Sequence, residues 1–266
     1  LGYVPVDRTQ ESVSRTIEFS YNDFCVAQMA RELGKGQDFG RLMHRSENYK
    51  NLYNTETGFF APRLFNGDWV AHSNWGFTEG SPWTYRFGAL HDVEGMVDLL
   101  GGAEQFAEYL TENFDGGHYR HDNEPGHHYA YLFNYCGQPW KTQELVRKHT
   151  SEENYRNAPL GINGNDDCGQ MSAWYIFSVM GFYPVTPGTD RFIFGAPQFP
   201  EFTLHLAHNG RPKTFEIVAK NLSHQNKYVR SITLDGKTIE KPYITYSQIM
   251  NGHKLVFEMT DSPQKN

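Results

Sequence analysis

The chain has 266 residues, enough for one large domain or two small ones with a sizeable core. Apolar residues make up 38% and charged residues 21%, a globular composition, and aromatics are high at 15%. The net charge of -7 disfavours nucleic acid as a partner, because its binders need a basic stripe to displace counterions.

The chain opens Leu1-Gly2-Tyr3-Val4-Pro5-Val6, with no basic region and no long apolar stretch, so no signal peptide is expected there. No apolar run reaches the length of about eighteen residues that a membrane span needs. From residue 12 to 181 the pattern is helical, broken by Gly/Pro/His-rich loops. Val13, Ile17, Tyr21, Phe24 and Cys25 recur at helical spacing, with Gly34 as the stop. Phe39, Leu42, Met43, Tyr49 and Leu52 predict a second helix. Asp92 to Leu100 and Ala103 to Phe114 predict a helix pair around Gly101-Gly102, and His127 to Tyr135 with Thr142 to Thr150 predict another. Gln170 to Met180 is apolar all round, which predicts a buried helix ending at Gly181.

After Pro184 the period changes to two. Strands are predicted at Phe192–Phe194, Phe202–Leu206, Phe215–Val218 and Ser231–Leu234. Asn209-Gly210, Asp235-Gly236 and Asn251-Gly252 read as short hairpin turns, since both residues tolerate positive φ. The expected architecture is mainly α, residues 1–183, followed by a small antiparallel β-domain, residues 184–266. Cys25, Cys136 and Cys168 are an odd number without CxxC, expected to be buried free thiols.

Three loops carry more polar chemistry than a connection needs. In Asn74–Trp83 one carboxylate, Glu79, lies among large aromatics. Apolar surroundings would raise its pKa and make it a general acid, while the plainer alternative is that Thr78 and Glu79 start a helix. The segment His118–His128 holds four His, one Asp and one Glu. It could bind zinc through four ligands, or a hard cation such as calcium through Asn123, Glu124 and carbonyls. It could also be a polar loop whose histidines cap helices. In Gly161–Gln170, Asp166 and Asp167 precede the apolar helix. One Asp can cap it, and the second is then placed for a general base. Separated carboxylates, aromatic platforms and a candidate metal turn form the inventory of a glycoside hydrolase.

At these loops the sequence resembles the C-terminal part of glycoside hydrolase family 92, calcium-dependent inverting exo-α-mannosidases. The resemblance runs through Tyr21–Ala30, Thr78-Glu79-Gly80, His91-Asp92-Val93, Gly101-Gly102, Asn123–His128, Tyr135–Thr142 and Gly164–Tyr175. It implies a partial (α/α)6 toroid closed by C-terminal strands. About seven or eight helices fit in this chain, against twelve in the toroid. The resemblance therefore implies a fragment, whose partners are an N-terminal β-sandwich and further helices of the same enzyme.

By the same resemblance Glu79 is the general acid and Asp167 the base. Asn123 and Glu124 hold calcium, and Asn165, Trp140, Lys141 and His128 contact the sugar. Lys141 at a helix start is electrostatically unfavourable, which supports a local anionic partner. Asn165 departs from relatives with a second Asp there. The implied substrates are terminal mannose residues of N-glycan or mannan-type glycans, and the implied compartment is secreted or periplasmic. An inverting pair stands roughly 6.5–9.5 Å apart, leaving room for water. The competing expectations are a non-catalytic carbohydrate-binding or structural fragment and a metal-independent six-hairpin α-glucosidase.

Overall fold

The computed structural model describes residues 1–70, 74–208 and 210–265. Two compact units divide the chain, Leu1–Arg120 and His121–Asn266.

In the first unit α1, Ser12–Glu32, buries Val13, Ile17, Phe24, Ala27 and Ala30 on one face. It packs against α2, Gly36–Ser46, and against the 3-10 turn Glu47–Leu52 that continues it. The predicted second helix is thus split, and Tyr49 and Leu52 reach the core from the tighter turn. α1 ends as predicted: the Lys35 N–H bonds the Ala30 carbonyl at 2.8 Å and the Gly34 N–H bonds that of Arg31 at 3.0 Å, a Schellman termination. A short hairpin, β1 Tyr53–Asn54 and β2 Phe59–Phe60, leads through the Glu79 loop to α3, Pro82–Tyr85. The helix pair follows as α4, Val93–Leu99, and α5, Ala103–Asp115.

The second unit begins with 3-10 turns at Glu124–Gly126 and Tyr129–Cys136 where an α-helix was expected, then α6, Pro139–His149, and α7, Gln170–Met180. α7 is buried except on one side, where Ile176 is 54% exposed. Strands follow: β3 Phe182–Tyr183, β4 Arg191–Phe194, β5 Glu201–His208, β6 Arg211–Lys220, β7 Tyr228–Leu234, β8 Lys237–Thr238, β9 Tyr243–Thr245 and, after the short α8 Tyr246–Met250, β10 Lys254–Thr260. They form a five-stranded sheet in the order β5-β6-β10-β7-β8 and a three-stranded one, β3-β4-β9.

The five-stranded sheet is mixed, not wholly antiparallel. β10 runs parallel to β6, with Leu255 opposite Ile217 and Phe257 opposite Ala219. A parallel neighbour needs a crossover, and β7 to α8 supply it. For the same reason Asn251-Gly252 is no hairpin: it closes α8 and turns the chain into β10. Asp235-Gly236 does turn β7 into β8, with φ of 48° and 79°. Asn209 lies outside the described residues. Alternating Phe215, Ile217 and Ala219 meet Leu255, Phe257 and Met259 in the core. Cys168 is exposed and Cys25 and Cys136 are half-buried, so the thiols are free but not uniformly buried. No helix among the described residues is long and apolar enough to cross a membrane.

A second core lies between α6 and α7. Trp174 is fully buried, and the His121 ring meets its face edge-on at 4.3 Å and stacks on His149 at 5.4 Å. Burial, with the Lys148 charge adding to it, pushes His149 down to about 4. The unfolded value is near 6.5, so below that pH the unfolded chain takes up a proton that the folded chain refuses, and folding weakens as pH falls. Stability is expected to drop by about 1.4 kcal/mol per pH unit from this residue between pH 6.5 and 4. Thermal melts at pH 7 and pH 5 check it: His149→Phe should lose less stability on acidification than the parent, and equal losses would refute the assignment.

Candidate active-site loops

The structure places Glu79 in the first unit and Asn123, Glu124, His128, Trp140, Lys141, Asn165 and Asp167 in the second.

Glu79 does not start a helix. Ser81 is the N-cap of α3, paired with Thr84 in a capping box, and the first turn has no acidic residue. Nor do the aromatics enclose the carboxyl group. Glu79 is exposed, Trp75 is 64% exposed, and Phe77 turns away to pack on Tyr85 at 5.6 Å. What marks the residue is its backbone, at φ 48°. Left-handed backbone is uncommon outside Gly and Asn/Asp, and it persists where the surroundings enforce it. Here the Thr78 N–H donates to Ser14 Oγ at 2.8 Å, and Tyr85 Oη donates to the Thr78 carbonyl at 2.9 Å. Those two bonds anchor the residue before Glu79 from α1 and α3.

Asp166 and Asp167 divide their tasks. Asp166 Oδ1 accepts from the Ser172 N–H at 3.0 Å and from Ser172 Oγ at 2.8 Å, so it caps the first turn of α7. Those bonds hold its carboxyl below the usual carboxylate range. The Asp167 side chain takes no part in that cap, although its backbone carbonyl accepts the Gln170 N–H at 3.2 Å. It is exposed, and Asp167, Cys168 and Gly169 are left-handed in succession, at φ 47°, 58° and 94°.

The loop before it is pinned at two places. Asn163 bonds Asn154 through its backbone and its side chain, both at 2.9 Å. Gly164, at φ 87°, lies so close to the preceding loop that a Cβ there would stand 2.4 Å from the Asp122 carbonyl oxygen. Only glycine permits both the backbone and the approach. Gly164 is thereby seated on Asp122, the residue before Asn123 and Glu124.

α7 holds that turn from the other end. Trp174 Nε1 donates to the His127 carbonyl at 2.8 Å, and Gln170 Nε2 donates to His127 Nδ1 at 3.1 Å. His127 Nε2 donates to the His121 carbonyl at 3.1 Å. His127 is therefore neutral, its pKa lowered chiefly by burial, while the nearby charges of Asp122 and Asp167 raise it. His121 Nε2 donates to Tyr155 Oη at 2.8 Å, and that hydroxyl donates in turn to the Met171 carbonyl at 3.2 Å. These histidines neither cap helices nor form a zinc set. Among the described residues no three His, Cys, Asp or Glu side chains form a group that could hold a metal ion. Asn123 and Glu124, half-buried at the 3-10 turn, retain a purely oxygen donor set suited to a hard cation.

His128 is 5% exposed, edge-on to Tyr129 at 4.8 Å. Trp140 and Lys141 sit on the first turn of α6. Lys141 Nζ lies 5.1 Å from the Phe133 ring centre and Lys265 Nζ lies 5.9 Å from that of Trp140. Phe133 thus offers the Lys141 charge a partner without any anion. Gln170, Trp174 and Asn154 hold the loops in place and were given no such role from sequence. Their signal was weak, an amide and an indole within an otherwise apolar helix, and an Asn in a polar loop.

A family model described as the glycosyl hydrolase family 92 catalytic domain matches residues 1–261. An "uncharacterized secreted glycosidase" of Arthroderma benhamiae is 28% identical over 292 aligned residues, covering 96% of this chain and 37% of that protein. The structure of a family GH92 alpha-mannosidase from Bacteroides thetaiotaomicron is similar with a TM-score of 0.94 at 39% identity, covering 100% of this chain and 36% of that one. A family GH92 inverting mannosidase from Bacteroides thetaiotaomicron VPI-5482 gives 0.92 at 34% identity, covering 100% and 39%. The chain spans little more than a third of the length of these relatives. A match from the first residue to the last strand establishes that this chain belongs to glycosyl hydrolase family 92.

Proposed function

We propose that this chain supplies the acid, the base and the calcium turn of an inverting, exo-acting α-mannosidase. In that proposal residues 1–183 are part of an (α/α)6 toroid and residues 184–266 are its C-terminal β-domain. The observation that supports the proposal is the seat of Gly164 on Asp122, which ties the loop that carries Asp167 to the residue preceding Asn123 and Glu124. Likeness to mannosidases over the full length of the chain supports the substrate class, terminal mannose of N-glycan or mannan-type glycans.

Glu79 protonates the departing oxygen and Asp167 takes a proton from the attacking water. Asn123 and Glu124 hold calcium, because their oxygens suit a hard ion and the neighbouring histidine nitrogens of His121 and His127 are committed to the core. When bound, calcium supplies positive charge that orients sugar hydroxyls. Asn165, His128, Trp140 and Lys141 contact the sugar. The partner is the remaining helical part and β-sandwich of the same enzyme. Phe19, Val26, Met29 and Leu33, each 51–65% exposed along α1, support a further helix packing there. A secreted or periplasmic site of action is supported by the secreted relative.

In the intact enzyme Asp167→Asn is expected to lower turnover on every α-mannoside by about 10²–10⁴-fold, whatever the leaving group. Glu79→Gln should cost as much on glycans and far less on aryl mannosides, which need little protonation. Equal losses on both substrates would remove Glu79 from the acid role. Activity should vanish with EGTA and return with calcium, and its return with zinc alone would overturn the metal assignment. Gly164→Ala should destabilise the protein by more than about 1 kcal/mol and impair turnover. Unchanged melting and turnover would show that the loop seat is dispensable.

A further inference from the structure

Both backbone polar groups of Thr78, the residue before Glu79, are held by buried hydroxyls. Its N–H donates to Ser14 Oγ at 2.8 Å and its carbonyl accepts from Tyr85 Oη at 2.9 Å. Ser14 and Tyr85 are 3% and 6% exposed, and they also bond one another. Tyr85 has one proton and gives it to Thr78, so Ser14 is the donor in that third bond. The three bonds close a ring: Thr78 N–H to Ser14, Ser14 to Tyr85, Tyr85 to the Thr78 carbonyl. Burial raises the Tyr85 hydroxyl above the ordinary phenol range, against the pull of its two hydrogen bonds, so it keeps its proton and remains a donor at neutral pH.

The carbonyl that Tyr85 grips belongs to the Thr78–Glu79 peptide. That unit is planar, so holding its oxygen also sets the direction from which the chain enters Glu79. The φ of Glu79, 48°, is the rotation between this plane and the rest of the residue. On the far side Gly80 packs so closely on Thr84 that a Cβ there would stand 2.9 Å from the Thr84 Cβ, and Ser81 caps α3. Glu79 thus lies between two anchored flanks, one of them governed by the Tyr85 hydroxyl.

α3 is itself fixed at its C-terminal end. Arg86, 3% exposed, follows Tyr85, and its guanidinium lies 3.7, 4.2 and 5.4 Å from the ring centres of Tyr109, Phe59 and Trp83. It pairs with Glu112 at 3.0 Å. Asn113 Nδ2 donates to the Trp83 carbonyl at 3.0 Å. Tyr109, Glu112 and Asn113 all stand on α5, so α3 is fastened to that longer helix by a caged cation and an amide.

We propose that Tyr85 is a positioning residue for the general acid: its hydroxyl, closed into a ring with Ser14 and Thr78, holds the Thr78–Glu79 peptide so that the Glu79 carboxyl meets the leaving oxygen. This role rests on Glu79 being that acid. Tyr85 touches no reacting atom and acts only through the backbone of Glu79.

In the intact enzyme Tyr85→Phe removes one hydroxyl from the ring and is expected to lower kcat on α-mannobiose about tenfold while leaving KM within about twofold. On an activated aryl α-mannoside, whose leaving group needs little protonation, the loss should be no more than about twofold. Ser14→Ala breaks the same ring from α1 and should give the same pattern. Added to Glu79→Gln, Tyr85→Phe should cost nothing further on α-mannobiose, because it acts through that carboxyl. The Tm of each variant checks that the fold is intact. Equal losses on both substrates, as general damage to the fold would give, or no loss on either, would overturn the proposal. If Glu79→Gln discriminates between the leaving groups and neither ring variant does, the acid assignment stands and the positioning role falls. If Glu79→Gln itself lowers turnover equally on both substrates, the acid assignment falls and the positioning role falls with it.

Discussion

The docking of α7 on the turn that precedes it is the constraint on which the second unit depends. One buried indole N–H, from Trp174 to the His127 carbonyl, fixes where the helix begins, and Gln170 fixes the same histidine's ring. With α7 in place, its cap must come from the chain immediately before it, and Asp166 supplies it through both polar groups of Ser172. The loop then has no slack. Asn163 is tied to Asn154, Gly164 presses on Asp122, and the residue that follows the cap is turned outward.

Glu79 and Asp167 share a backbone feature despite lying in different units: both are left-handed non-glycine residues. Such a conformation costs of order 1–3 kcal/mol. In each case the surrounding hydrogen bonds belong to neighbours, Thr78 in one loop and Asp166 in the other. The scaffold therefore absorbs the strain.

The histidine-rich loop shows how composition can mislead. Four His beside Asp and Glu suggest a soft metal site, yet burial decides otherwise. Desolvation drives His121 down to about 3, so it remains neutral and packs as an aromatic ring between Trp174 and His149. Its Nε2–H is used by Tyr155. His127 likewise spends its Nε2–H on the His121 carbonyl.

Periodicity carried the elements that are bound by local rules. α1 with its Schellman end, the α4–α5 pair, α7 and strands β4 to β7 stand where apolar spacing and glycine placed them. One of the two Asp residues before α7 was expected to cap it, and Asp166 does so through Ser172. Other features depended on contacts distant in sequence, which no local period encodes. Whether 127–135 would be α or 3-10, whether β10 would pair parallel to β6, and which histidines would be desolvated were all decided by packing. The parallel pair arises because the crossover from β7 to α8 returns the chain to β6, and the neutral histidines arise because Trp174 seals them from water.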